Sequence, residues 1–217
     1  MKILITAGPT HEPIDPVRYI GNRSSGQMGA ALADAALAAG HNVTLILGPV
    51  TASMAPEASR IDIETAAQMH EAVLSEFPKH DLLIMAAAVA DYRPKQVVRD
   101  KLSRDGMLVI ECEPTPDILA AAGKIKRTDQ RTIGFSLESR GNLARSREKL
   151  LRKGLDVIVY NPVDTMSSAT IEAVLLWPDG RSEPLPLQDK ASFARLLIDH
   201  AAQLFQSTET QRGSGSL

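Results

Sequence analysis

KILITAGPT, Lys2–Thr10, and SGQMGAALADAALAAG, Ser25–Gly40, are the two stretches on which the fold turns. The first is an apolar run that breaks at Gly8-Pro9-Thr10, the pattern of a buried parallel strand running into a loop. The second carries Met28, Leu32 and Ala35 at helical spacing and stops at Gly40, where a left-handed backbone needs no Cβ. Downstream, Asn42–Leu47 and the shorter Ile61–Glu64 read as strands, Ala66–Phe77 as a helix and Asp81–Ala88 as a second buried strand. Pro94–Gly106 is charged and aperiodic. Met107–Cys112 then reads as a strand, Asp117–Gly123 as a helix, Thr132–Ser136 as a strand, Asn142–Lys153 as a helix and Asp156–Asn161 as a strand. Ala169–Trp177 and Ser182–Leu187, joined by Pro178-Asp179-Gly180-Arg181, form a β-hairpin pattern, and Lys190–Phe205 a closing helix. Strands alternating with helices imply right-handed crossovers. The expected architecture is α/β, a Rossmann-like three-layer sandwich whose mostly parallel sheet ends in a C-terminal β-hairpin. Residues 1–207 make one domain, and the polar, Gly/Ser-rich Thr208–Leu217 is expected to be a disordered tail.

A net charge of -2 over 217 residues leaves no global basic field to recruit nucleic acid, so anion binding must come from a pocket. One cysteine, Cys112, excludes an internal disulfide framework, and its place in an expected strand favours a buried thiol over a nucleophile. No apolar run approaches the roughly 18 residues of a membrane span, and the N-terminus lacks the pattern of a signal peptide. A cytoplasmic protein is expected. His11, His41, His70, His80 and His200 form no paired metal spacing.

A strand, a glycine turn and a helix invite a dinucleotide-binding reading, which fails two tests. Its G-x-G-x-x-G joins strand to helix compactly, whereas Gly8 and Gly26 are separated by a long loop. Its acidic residue at the end of the second strand is replaced by Gly48-Pro49. What remains is Ser24-Ser25-Gly26 at a helix N-terminus, either an ordinary serine cap or a phosphate site built on unpaired N–H groups and the helix dipole.

Ile5–Thr10, Glu12–Ile20 and Asn22–Gly26, continued by Ala86–Tyr92, Pro116–Ile118, Gly134-Phe135 and Lys149–Lys153, resemble phosphopantothenoylcysteine synthetase, the second half of the bacterial bifunctional coenzyme A enzyme. The resemblance covers most of the chain and lacks the flavin-binding decarboxylase half. It implies CTP-dependent condensation of 4′-phosphopantothenate with L-cysteine through an acyl cytidylate, with magnesium on the nucleotide. A homodimer and a separate or fused flavin-dependent decarboxylase are the implied partners, and ATP replaces CTP in animal members.

Activating a carboxylate with a triphosphate requires anion donors, a lid and a wall for the base. Lys149 and Lys153, i and i+4, share one helix face, with Arg145 a turn back. The same spacing suits a solvated helix end that complements its dipole. The resemblance assigns both lysines to the nucleotide, and Lys101 to a flap whose first lysine is catalytic. Here the flap reads Lys101-Leu102-Ser103-Arg104, which keeps only that first lysine of the family run. Asn22 is implied to hold the acyl-nucleotide intermediate, its amide able to donate and accept without adding charge. By spacing alone it is equally a turn residue. Gly8, Ser24, Ser25 and Gly26, the Met85-Ala86-Ala87 backbone, Asp91, Thr115-Pro116-Asp117-Ile118 and Phe135 are implied to wall the nucleotide. Asp91 taken alone could simply cap a turn, and Phe135 could be core. Thr115 replaces the family's Asn, and Gln27 a frequent Lys. Two other readings stand beside this one, an NADPH-dependent reductase and a non-catalytic nucleotide-sensing module.

Overall fold

The computed structural model describes residues 1–50, 57–163 and 168–213, with backbone alone for 207–213. β1 (Lys2–Ala7) shows why a layered core forms. Its side chains alternate across the sheet, as any strand's must. On one face Ile3, Ile5 and Ala7 pack with Leu32, Ala33 and Ala36 of α1 (Gln27–Ala38) and with Phe193 and Leu197 of α5 (Lys190–Gly213). On the other, Leu4 packs with Met69 and Val73 of α2 (Ala66–Glu76) and with Ile118 and Ala122 of α3 (Ile118–Ile125). α4 (Leu143–Arg152) places Leu150 in a further cluster with Leu155, Ile158 and Tyr160. Helix, sheet and helix are therefore the three layers the alternation implied.

From one edge, the eight strands run β12 (Ser182–Asp189), β11 (Thr170–Leu176), β10 (Val157–Pro162), β9 (Arg131–Glu138), β6 (Leu82–Met85), β1, β4 (Asn42–Leu47) and β5 (Ser59–Asp62). β10 through β5 are parallel. The C-terminal hairpin adds β11 and β12 antiparallel. The chain leaves β1 outward to β4 and β5, then returns to place β6 on the other side of β1. That reversal opens a crevice at the carboxyl ends of β1 and β6, the place where sheets of this kind bind ligands.

Three elements depart from the sequence expectation. The long loop after β1 folds into an arm of its own, β2 (His11–Pro13) paired antiparallel with β3 (Tyr19–Gly21). Glu12, buried on that arm, accepts the Ala66 N–H at 2.7 Å and so helps cap α2. Met107–Cys112 is not a strand: Met107 is 90% exposed, and pairing begins only at Cys112, where β8 (Cys112–Pro114) meets β7 (Tyr92–Pro94) outside the main sheet. Its apolar run matched a strand in composition, but among the described residues no strand pairs with 107–111. α5 continues past the expected end at Phe205 to Gly213, into the polar tail, and 214–217 lie outside the described residues.

α1 lies close on β1 because position 29 is glycine. A Cβ there would stand 2.2 Å from the Ala7 Cβ. Gly29→Ala would gain about 1 kcal/mol of helix propensity. The overlap should nonetheless win, destabilising the chain by about 1–3 kcal/mol on the scale of overpacked cores, read as a lower denaturation midpoint. An unchanged or raised midpoint would show that α1 can shift away without cost.

Candidate functional site

The loops leaving β1 and β6 are sewn together across the crevice. Ala88 N–H donates to the Gly8 carbonyl at 2.9 Å, and Thr10 N–H to the Ala88 carbonyl at 3.4 Å. Two buried hydroxyls add to the seam: Thr10 Oγ1 accepts from Ala90 N–H at 3.0 Å and Thr6 Oγ1 from Ala87 N–H at 3.3 Å. Gly8 can join because it adopts φ +78°, where a Cβ would also meet Val50 and the Gly48 carbonyl. Ala86-Ala87-Ala88 thus becomes a fixed ridge with a cavity on each side.

The larger cavity, about 600 Å³, is lined by Met85, Ala87, Asp91, Thr115, Pro116, Asp117, Ile118, Phe135, Lys149 and Lys153, with Asn22 at its margin. Both lysines are already paired. Lys149 Nζ lies 2.6 Å from Glu138 Oε1, while Arg145 stands 3.6 Å from Oε2. Lys153 Nζ lies 2.9 Å from Asp117 Oδ1, on the same carboxylate that caps α3 through Ala120 N–H. Burial pushes the Glu138 carboxyl up, yet the Lys149 hydrogen bond, the Lys149 and Arg145 charges and the Ser136 hydroxyl outweigh it and hold the group below its ordinary range. Asp117 behaves alike: burial raises it, and Lys153, the Ala120 N–H and Arg152 together lower it. Glu138 was not singled out in the sequence, where it is one acid near a strand end. The signal that could have found it is its place at the end of β9, facing the lysines of the following helix. Thr115 uses its hydroxyl on the Ala90 carbonyl at 2.6 Å and its N–H on the Asp91 carbonyl at 3.0 Å, bracing the turn that presents Asp91.

The smaller cavity, about 200 Å³, holds Ser24, Ser25, Gly26, Ala86, Arg23, Gln27 and Lys190. No side chain caps α1: Gly26 at the N-cap has φ 75°, and Ser24 Oγ only accepts Gly26 N–H at 3.4 Å. The ordinary serine cap is therefore not what this sequence forms. Lys190 Nζ reaches Gln27 Oε1 at 3.3 Å, so α5 brings an ammonium to the side chain of Gln27. Burial pushes that ammonium below its ordinary pKa.

Ser24–Gly26 and the lysines Lys149 and Lys153 do not share one cavity; the two spaces meet at Ala87, Ala88, Phe135 and Leu137. Phe135 is held in that partition by an edge contact with Phe193, centroids 6.3 Å apart. Asn22 stands at the ridge, its Nδ2 donating to the Val89 carbonyl at 2.8 Å. Gly8 shapes the ridge and lines neither cavity. Lys101 is exposed and also lines neither. Among the described residues, no group of three or more His, Cys, Asp or Glu could hold a metal. Cys112 is half-buried in the side hairpin. No helix among the described residues is long and apolar enough to cross a membrane.

Carboxyl-detected NMR should place the Glu138 midpoint below that of an ordinary glutamate. Lys149→Met should move it upward, because burial then prevails. A folded-state pKa below the unfolded one means that Glu138 and Asp117 contribute stability above roughly pH 4 and lose it as pH falls through their folded values. A Glu138 midpoint indifferent to Lys149 would break the assigned pair.

The family model for the DNA/pantothenate metabolism flavoprotein C-terminal domain matches residues 1–205. A coenzyme A biosynthesis bifunctional protein CoaBC from Vibrio cholerae is 42% identical over 204 residues, 91% of this chain and 51% of that protein. A protein of an unknown prokaryotic organism, described as a cysteine/cysteine sulfinic acid decarboxylase, is 49% identical over 162 residues, 74% of this chain and 45% of its own length. The chain thus spans about half the length of the curated relatives it matches. A crystal structure of the C-terminal domain of CoaBC superposes with a TM-score of 0.82 at 37% identity, covering 95% of this chain and 96% of that one. Matched by the family model over nearly its whole length, the chain belongs to the DNA/pantothenate metabolism flavoprotein C-terminal domain family.

Proposed function

We propose that the chain is a phosphopantothenate–cysteine ligase of coenzyme A biosynthesis that uses CTP. The observation that carries this reading is the pair of cation-lined cavities meeting at one backbone ridge beside Asn22. Two phosphorylated substrates must meet at one phosphorus atom, and two anion sites with a shared wall are what that reaction needs.

In this reading the nucleotide lies between Lys149, Lys153 and the Thr115–Ile118 segment, with Asp91 accepting from its base or sugar. Phosphate oxygens compete with Glu138 and Asp117 for the two ammoniums. The phosphate of 4′-phosphopantothenate sits in the smaller cavity, against Lys190 and the first N–H groups of α1. Its carboxylate then reaches across the ridge. A carboxylate oxygen attacks the α-phosphorus, pyrophosphate leaves, and Asn22 holds the acyl cytidylate by its amide. The cysteine amine next attacks the acyl carbon, loses a proton, and CMP departs with the electrons of the broken carbon–oxygen bond. Lys101 supplies positive charge in the first step. Magnesium carried by the triphosphate would neutralise charge on its oxygens.

The chain acts in the cytoplasm as a homodimer, and the half of the relatives' length it does not span suits a fused or separate flavin-dependent decarboxylase. The reductase reading finds little support, since β4 runs out at Leu47-Gly48-Pro49 with no carboxylate for a ribose.

Pyrophosphate should be released from CTP only when 4′-phosphopantothenate is present, and faster than from ATP at equal magnesium. Nucleotide binding without turnover would favour a sensing module instead. Lys153→Met should raise the KM for CTP by about tenfold, and Lys190→Met that for phosphopantothenate by a similar factor, each sparing the other substrate. Steady-state kinetics with both substrates varied checks the division; both KM values rising together in either variant would refute it.

A further inference from the structure

Asp15 lies in the turn between β2 and β3, and its side chain is wholly removed from solvent. One oxygen accepts Val17 N–H at 2.8 Å and Arg18 N–H at 2.7 Å, closing the turn. A surface Asp or Asn would do that much without burial. The other oxygen accepts the Arg18 Nη1 group at 2.9 Å and Leu102 N–H at 3.1 Å. Arg18 completes the circuit, its Nη2 donating to the Leu102 carbonyl at 3.2 Å. Both backbone groups of one residue are thus held by a single carboxylate–guanidinium pair from a distant part of the chain.

The Leu102 N–H belongs to the peptide plane that begins at the Lys101 carbonyl, and that plane is rigid. Holding it limits the backbone rotation that aims Lys101. The surrounding segment has few other ties: Val98 N–H donates to the Ile14 carbonyl at 2.9 Å, Lys95 N–H to the Glu111 carbonyl at 3.0 Å, and Met107 and Val109 stand exposed. Burying a carboxylate is costly unless paired and hydrogen-bonded, so this expense in a turn implies a task beyond the turn. Asp15 is also held below the ordinary carboxylate range: burial raises it, and the N–H groups of Val17, Leu102 and Arg18 with the Arg18 charge outweigh that. The clamp is charged throughout the neutral range.

We propose that Asp15, acting with Arg18, is a positioning residue that fixes Leu102 and so sets Lys101 for its work on the nucleotide. This rests on the ligase reading, and on Lys101 acting in its first step.

Asp15→Asn gives Leu102 N–H a weaker acceptor, and Arg18→Lys keeps the charge but cannot bridge both partners. In the full chain without ligand, amide hydrogen exchange at Leu102 should accelerate in both variants while β1 and β6 stay protected. In single-turnover pyrophosphate release, Asp15→Asn should slow the step by between about tenfold and a hundredfold. The CTP Kd should stay within about twofold. With Lys101→Gln already present, the same substitution should slow nothing further. Unchanged Leu102 exchange in folded Asp15→Asn and Arg18→Lys overturns the clamp. Equal slowing with and without Lys101 overturns its link to that residue. A wild-type chain that releases no pyrophosphate defeats the ligase reading and the link together, while exchange still decides the clamp.

Discussion

The hydrogen bond from Ala88 N–H to the Gly8 carbonyl joins the two loops that flank the reversal of strand order, and the site depends on it. A parallel sheet leaves the loops at its carboxyl edge separate, so a crevice there would ordinarily be open and ill-defined. Here backbone bonds and the buried hydroxyls of Thr6 and Thr10 extend the pairing beyond the last strand residues. The result is a ridge of three alanines whose small side chains leave backbone accessible from both sides. The requirement explains the left-handed Gly8 and the bare Gly48, whose Cβ would stand 1.7 Å from the Pro9 carbonyl.

Electrostatics sets the second constraint. Lys149, Lys153 and Arg145 face Glu138 and Asp117, so the site's cations are nearly neutralised by its own acids. Unpaired, the two lysines in a half-buried cleft would repel one another and lose hydration. With internal carboxylates in place they are held where an incoming anion needs them. A polyphosphate offers several charged oxygens at once and can outcompete single carboxylates, whereas a simple monoanion gains little. On the ligase reading proposed above, the pairs therefore favour multiply charged ligands.

The layered sheet was legible because its signals are local and repeated: the apolar run of Lys2–Ala7, the helical spacing after Ser25 and the Asp-Gly turn of the last hairpin each mark one element. The arm at His11–Gly21 was not, since its strands are three residues long and are fixed by tertiary bonds such as Glu12 to Ala66 N–H. Met107–Cys112 misled for the opposite reason, having strand composition while, among the described residues, only its last residue pairs with a strand. At the site, the spacing of Lys149 and Lys153 on one helix suited a solvated helix end as well, and it was resemblance that singled them out, as it did Asp117 and Phe135. The division into two cavities was not legible, because it arises from which face of the sheet each loop leaves. Glu138 and Lys190 were missed because only the fold brings them in: Glu138 from the last position of β9, beyond Gly134-Phe135, and Lys190 from the first position of α5, which carries no motif.

The contact between Phe135 and Phe193 has a bearing on how the molecule comes to exist. Phe135 partitions the cavities from β9, yet the ring that steadies it belongs to the last helix, which also packs along α1 at the other end of the chain. Contacts between such distant segments close slowly, since much chain must be ordered before they form. During synthesis the early strands can associate as they emerge, but the partition stays unsupported until α5 has left the ribosome. The wall between the two cavities is thus completed only once α5, which follows β9 and α4 in the sequence, has docked on the sheet.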